Sequence, residues 1–302
     1  MGLDDESWSK FKGFNAGLWR GVARSVEVDP VLRRVRRSPP CWSSHYTTRF
    51  EDIKPPRFKE IVEWNDFVEE RQGRDISVDI DGSFTADYNI FHFKNRTFRF
   101  AAECSFAISD SERIRILTNY DWAGLKSVAV LDERRGAATA TRRRTDLFGL
   151  DGRWIGDASI RSRRGLAVAK QDLAFKTDGE RLVRVLEVRD FVGDKIQSYE
   201  SCGQRLASND EGLEFVAFDD GTVLILLVDE GVYALAPLAL KDSFFLEAGI
   251  FLQDPADRLF PISQRGDAEF GDDPLHLARA LRLYTDKGLV NSVTTAYHQR
   301  RS

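Results

Sequence analysis

Cysteine is scarce and scattered, with three residues in a chain of 302: Cys41, Cys104 and Cys202. An odd number without CxxC spacing excludes a disulfide framework and a thiol-based metal or redox centre, and it fits a reducing compartment. Histidine is almost as rare. His45, His92, His276 and His298 show none of the HxH, HxxxH or HExxH spacings that assemble a metal site, so no metal is expected. Long apolar runs are missing too: the longest, such as Thr222–Val228, match a strand and fall far short of the ~18 residues of a spanning helix, so no membrane span is expected. Nor does one sign of charge dominate. Lys+Arg 44 against Asp+Glu 48 gives a net charge of −4, and nothing global draws the chain to nucleic acid. The opening MGLDDESWSKFK carries acidic residues where a secretory signal needs basic ones, and Glu6 where the myristoylation pattern needs Ser or Thr. No GxSxG, P-loop or dinucleotide-binding fingerprint occurs, which leaves catalytic residues and cofactor unassigned.

What the sequence does hold, it holds nearly twice. Gly17-Leu18-Trp19-Arg20-Gly21-Val22-Ala23 recurs as Gly152-Arg153-Trp154-Ile155-Gly156-Asp157-Ala158, both reading GxWxGxA. An ExxDF frame follows in each half, Glu63 to Phe67 and Glu187 to Phe191, and Asp81-Gly82 is matched by Asp220-Gly221. Phe100–Ile108 then aligns with Phe244–Leu252, which puts Glu103 opposite Glu247, and each half closes on a Gly-Leu turn, a β-rich strand and an Arg-Arg pair. Matches in one unbroken order indicate an internal duplication. The expected division is residues 1–135 and 146–302, with 136–145 as an exposed, arginine-rich linker and Ala268–Ala280 as the largest inserted piece.

Within each half the apolar residues alternate, as in Phe84, Ala86, Tyr88 and Ile90, or Phe98 through Ile108, or Phe244 through Leu252. Period two over many segments joined by Asp-Gly turns predicts antiparallel strands. Helical spacing is confined to Ser7–Phe14 and Leu275–Leu283. The fold class is therefore all-β, two tandem barrels of eight strands each with a short N-terminal helix, closed so that neither leaves edges exposed. Cys104 falls on the apolar parity and reads as a small core residue. Glu103 and Glu247 fall on the other parity, which predicts carboxylates turned to solvent and paired with arginine. Turned inward instead, each would need a basic partner or a raised pKa.

A GxW at the start of a meandering β domain resembles the lipocalin, or calycin, signature. Two copies, each followed by the same strand order, resemble the uncharacterised two-barrel lipocalin-like proteins of cyanobacteria and plastids, distantly similar to lipocalin-type bilin lyases. The resemblance covers nearly the whole chain. It implies a plastid stroma or cytoplasmic location and a small apolar or amphiphilic ligand, with a tetrapyrrole or isoprenoid pigment first among those considered. Candidate ligand-lining residues are Trp19, Tyr88, His92, Phe100, Phe106, Trp154 and Phe244. Three functions compete: a carrier, a lyase or isomerase acting on such a ligand, and an assembly module with barrels filled by their own side chains. The clusters Arg33–Arg37, Arg142–Arg144 and Arg161–Arg164 are solvated loops or contacts for an acidic protein partner.

Overall fold

The computed structural model describes residues 5–38, 42–52, 58–64, 67–78, 84–92, 97–135, 147–162, 165–189, 195–206, 212–252, 276–285 and 288–300. Cys41, the linker beyond Arg135, Arg142–Arg144 and residues 163–164 of the third arginine cluster lie outside them. The first half contains α1 (Asp5–Asn15), β1 (Gly17–Asp29), β2 (Arg34–Arg37), β3 (Trp42–Asp52), β4 (Phe58–Trp64), β5 (Phe67–Val78), β6 (Phe84–His92), β7 (Thr97–Ser109), β8 (Glu112–Asp121) and β9 (Gly124–Arg134). The second contains α2 (Leu147–Leu150), β10 (Gly152–Ser162), β11 (Gly165–Asp178), β12 (Arg181–Arg189), β13 (Lys195–Leu206) and β14 (Leu213–Phe218). It continues through β15 (Thr222–Leu227), β16 (Val232–Pro237), β17 (Phe244–Leu252), β18 (His276–Thr285) and β19 (Gly288–Arg300). By internal contacts the chain divides into two units, Met1–Pro30 with Arg36–Ala140, and Val31–Val35 with Thr141–Ser302.

All described pairings between neighbouring strands are antiparallel, as the hairpin turns between consecutive β-rich segments require. In the second unit, β10 to β19 form a closed barrel of ten strands, wider than the eight expected of each half. In the first unit the order is β2-β1-β3-β4-β5-β6-β7-β8-β9, and β1 pairs with β9 as well as β3. Each GxW glycine sits at the start of its strand with a positive φ, 108° at Gly17 and 129° at Gly152, where a side chain would be strained. The second glycine of the first copy serves a different purpose. A Cβ on Gly21 would lie 2.0 Å from the Asp132 carbonyl oxygen, so only a bare α-carbon lets β1 lie this close against β9.

The helical pattern read over Leu275–Leu283 is not realised. From His276 the chain is strand β18, whose ladders with β17 and β19 override a local preference for helix. Leu277, Arg279, Leu281 and Leu283 share one face of it, and period two is the one the chain obeys. Among the described residues, no helix is long and apolar enough to cross a membrane, and no group of three or more His, Cys, Asp or Glu could hold a metal ion.

Candidate functional site

The two GxW tryptophans occupy matching places. Trp19 and Trp154 are both wholly buried, and each indole Nε1 donates to a carbonyl four residues earlier, Asn15 or Leu150, at 3.0 Å. The helix before each strand is thereby tied to the inward face of its sheet. From these anchors the strand register defines which residues face inward. In the second unit Trp154, Gln171 and Leu173 share the inner face with Arg184, Phe251, Glu247, Leu277, Arg279 and Tyr297.

Glu103 and Glu247 lie on that inner face in their respective units, 0% and 1% exposed, which overturns the expectation that they turn to solvent. Parity misled because β7 is buried on both faces from Ala101 to Ile108, and β17 from Leu246 to Leu252, so the phenylalanine series does not mark the inside. Each carboxylate meets an arginine at the same point of its ladder. Glu103 pairs across from Leu117 and Glu247 across from Leu281, and Arg115 and Arg279 stand two residues before those partners. Arg115 Nε donates to Glu103 Oε1 at 2.5 Å and Nη2 to Oε2 at 2.9 Å, while Arg279 Nη2 donates to Glu247 Oε2 at 2.6 Å. Each unit thus carries a buried ion pair as well as a buried tryptophan. Glu187 behaves as expected of a surface residue, bonded to Lys195 and Arg189 at its partly exposed position. Glu63 has a side chain outside the described residues.

Around this shared pair the two units differ. In the first, Arg113 Nε donates to Glu133 Oε2 at 2.5 Å, and Arg115 Nη1 lies 3.6 Å from Glu133 Oε1. Two carboxylates therefore face two fully buried guanidiniums. Arg113 Nη1 also donates to Asn15 Oδ1 at 2.8 Å, and its guanidinium carbon sits 3.9 Å from the Trp19 ring centroid. Arg135 lies 4.3 Å from the same centroid and donates to the carbonyls of Phe14 and Ala16 at the end of α1, a place where a cation complements the helix dipole. The tryptophan end of this unit is thus clad in arginine.

In the second unit the corresponding end is apolar, with Trp154 and Phe251 rings 5.7 Å apart and Leu173, Leu186 and Leu277 beside them. A polar cluster stands beyond this end. Glu247 Oε2 accepts from Arg184 Nη2 at 2.5 Å and from Arg279, while Oε1 accepts from the Tyr233 hydroxyl at 2.9 Å. Arg279 Nη1 donates to Gln171 Oε1 at 2.9 Å and to the Tyr297 hydroxyl at 3.0 Å, and Gln171 Oε1 also accepts from Tyr297 and Thr295. Burial by itself would raise the Glu247 pKa, yet Arg184 and Arg279 outweigh it and hold the carboxyl at about 2. The Tyr233 hydroxyl is pushed well up by burial and by Glu247, and that of Tyr297 is raised by burial.

Gly249 makes room for this arrangement. A Cβ there would come within 2.1 Å of the Tyr233 ring, which lies across the ladder from it. Gly249→Ala is expected to displace Tyr233 from Glu247 and to cost about 1–3 kcal/mol of the second unit's stability, read from urea unfolding curves. Unchanged curves would mean that the ring moves aside without cost.

Of the residues singled out from sequence, Trp19 and Trp154 face the buried clusters. Phe100, Phe106 and Phe244 lie on the opposite faces of their strands, Phe244 stacked on Tyr284 with centroids 4.5 Å apart. Tyr88 and His92 pair with Ala101 and Thr97 in the backbone register, and their side chains lie outside the described residues, as do those of His45 and His298. His276 is buried on the outward face of β18, and Cys104 is buried as read. Arg184, Arg279, Tyr233, Tyr297 and Gln171 escaped the sequence reading. The one available signal was an arginine recurring after the aligned glutamate of each half.

No family model and no curated protein matches the chain. A solved structure from Nostoc punctiforme PCC 73102, a protein of unknown function from the DUF3598 family, is similar over 96% of this chain and 99% of its own, with a TM-score of 0.64 and 19% identity. At that identity the likeness is one of architecture, and this chain shares its all-β fold with an uncharacterised protein of a cyanobacterium.

Proposed function

We propose that the second unit binds a small amphiphilic molecule inside its ten-stranded barrel. The observation that carries this reading is the hydrogen-bonded cluster of Arg184, Glu247, Arg279, Tyr233, Tyr297 and Gln171, set beside a buried core of Leu, Val and aromatic side chains. Apolar walls with a few convergent polar groups are the usual build of a small-molecule site. The first unit, on this reading, is a second barrel from the same duplication, closed through β1 and β9, with its interior occupied by the Arg113, Arg115, Glu103 and Glu133 side chains. A carrier fits better than a lyase or isomerase. Glu247 is held ionised and Tyr233 protonated far from neutral pH, so neither group is poised for proton transfer.

The test is native mass spectrometry of the full chain with dodecanoate, dodecanol and dodecyltrimethylammonium. A saturable 1:1 adduct with at least one of them is expected, lost when Leu224→Trp fills the barrel while the circular dichroism spectrum is kept. Absence of any adduct, or an adduct indifferent to Leu224→Trp, overturns the proposal.

A further inference from the structure

Arginine is permanently charged in proteins, and a buried guanidinium needs both a counter-charge and partners for its N–H groups. The two units meet this need unequally. Glu103 and Glu133 match Arg113 and Arg115 charge for charge. In the second unit one carboxylate, Glu247, serves both Arg184 and Arg279, which among the described residues leaves one positive charge over in a buried cluster. The Nε atoms of both arginines are buried without a hydrogen-bond partner among the described residues. Among the described residues the unit's other buried carboxylates are Asp172, paired with Arg153, Glu214, paired with Arg205, and Glu230, in the β15–β16 turn. None of the three bonds to Arg184 or Arg279.

We propose that Arg184 and Arg279 of the second unit form a headgroup site for a monocarboxylate carried on an apolar body. The inference rests on the amphiphile-binding reading above and adds the sign of the headgroup and its seat. A carboxylate supplies the missing charge and accepts from guanidinium N–H groups in the planar geometry that suits them. The Tyr297 hydroxyl accepts from Arg279, and the Tyr233 hydroxyl donates to the Glu247 carboxylate that both arginines share. The apolar body lies against Leu224, Leu226 and the Trp154–Phe251 pair, which belong to the same buried core as both tyrosines. Where the first unit has Arg113 over its tryptophan, the second has Leu277 at the matching ladder position, so in the second unit the arginine pair stands next to an apolar floor.

Affinities of the full chain for dodecanoate, dodecanol, dodecyltrimethylammonium and acetate, by isothermal titration at pH 7, decide the matter. Dodecanoate is expected to bind about tenfold or more tighter than dodecanol, as for a hydrogen bond to a charged group, and the ammonium not at all. Arg184→Met leaves Glu247 neutralised by Arg279 alone, and it should abolish the preference for dodecanoate while leaving dodecanol affinity within about twofold. The balanced double substitution Glu103→Met with Arg115→Met should leave the preference intact. If dodecanoate and dodecanol bind equally, the headgroup inference fails and the amphiphile reading stands; if none binds, both fail. Acetate binding as tightly as dodecanoate identifies a simple anion site and overturns the apolar body. Loss of the preference in the double variant moves the site to the first unit. Should Arg184→Met prove unstable, the ranking of the four probes on the unaltered chain still decides the headgroup.

Discussion

Replacing Glu247 by alanine is expected to destabilise the second unit by about 3–5 kcal/mol at neutral pH, because Arg184 and Arg279 then stay buried with no counter-charge. Tyr233 loses its acceptor in the same step. Guanidinium chloride unfolding of the variant, set against the unaltered chain, measures the loss, and a change under 1 kcal/mol would show that solvent reaches the arginines. The same carboxylate sets a pH dependence. Its pKa in the fold is about 2, against an ordinary 4.5, so the folded state holds its proton less tightly than the unfolded chain does. The resulting stability is fully present above about pH 4.5 and is lost as the pH falls through the interval down to about 2, a swing on the order of 3 kcal/mol. Glu247→Gln should flatten that interval of the stability profile. A profile of unchanged slope would assign the acid sensitivity to other carboxylates.

Trp154→Ala is expected to cost a similar amount, about 3–5 kcal/mol, the range for removing a large aromatic from a core. The indole is wholly buried, touches Phe251, and ties β10 to α2 through the Leu150 carbonyl, so its removal opens a void and strands an acceptor together. Trp154→Phe separates the two causes. It refills most of the volume but leaves Leu150 unbonded, and should recover more than half of the loss. If phenylalanine were no better than alanine, the hydrogen bond rather than the packing would hold the end of the barrel.

The strands were legible in the sequence because period two is a local signal, and the GxWxGxA frames marked the two tryptophans. Both tryptophans keep the same indole bond in the fold, and α1 forms where Ser7–Phe14 suggested it. The inner face was not legible. In β15 every residue from Thr222 to Leu227 is buried, and alternation cannot tell the sides of such a strand apart. The polar cluster was hidden for a second reason. Arg184 and Arg279 reach Glu247 from strands 63 and 32 residues away along the chain, and a lone arginine between apolar neighbours reads as a solvent-facing position. The β18 segment was misread because Leu275–Leu283 fits helical spacing nearly as well as strand spacing, and only its two neighbours decide.

The ladder that closes the barrel also bears on how this unit folds. Arg153 pairs with Arg300, so β10 finds its second neighbour only across the eight intervening strands of its unit. Bringing such distant segments together carries a large loop-closure entropy, and topologies of this kind fold in milliseconds to seconds rather than microseconds. Of the ten strands of this unit β10 is synthesised first, and one of its edges stays unpaired until β19 has followed. The aggregation-exposed species for this unit is that nearly complete sheet, open along β10 until its last strand arrives.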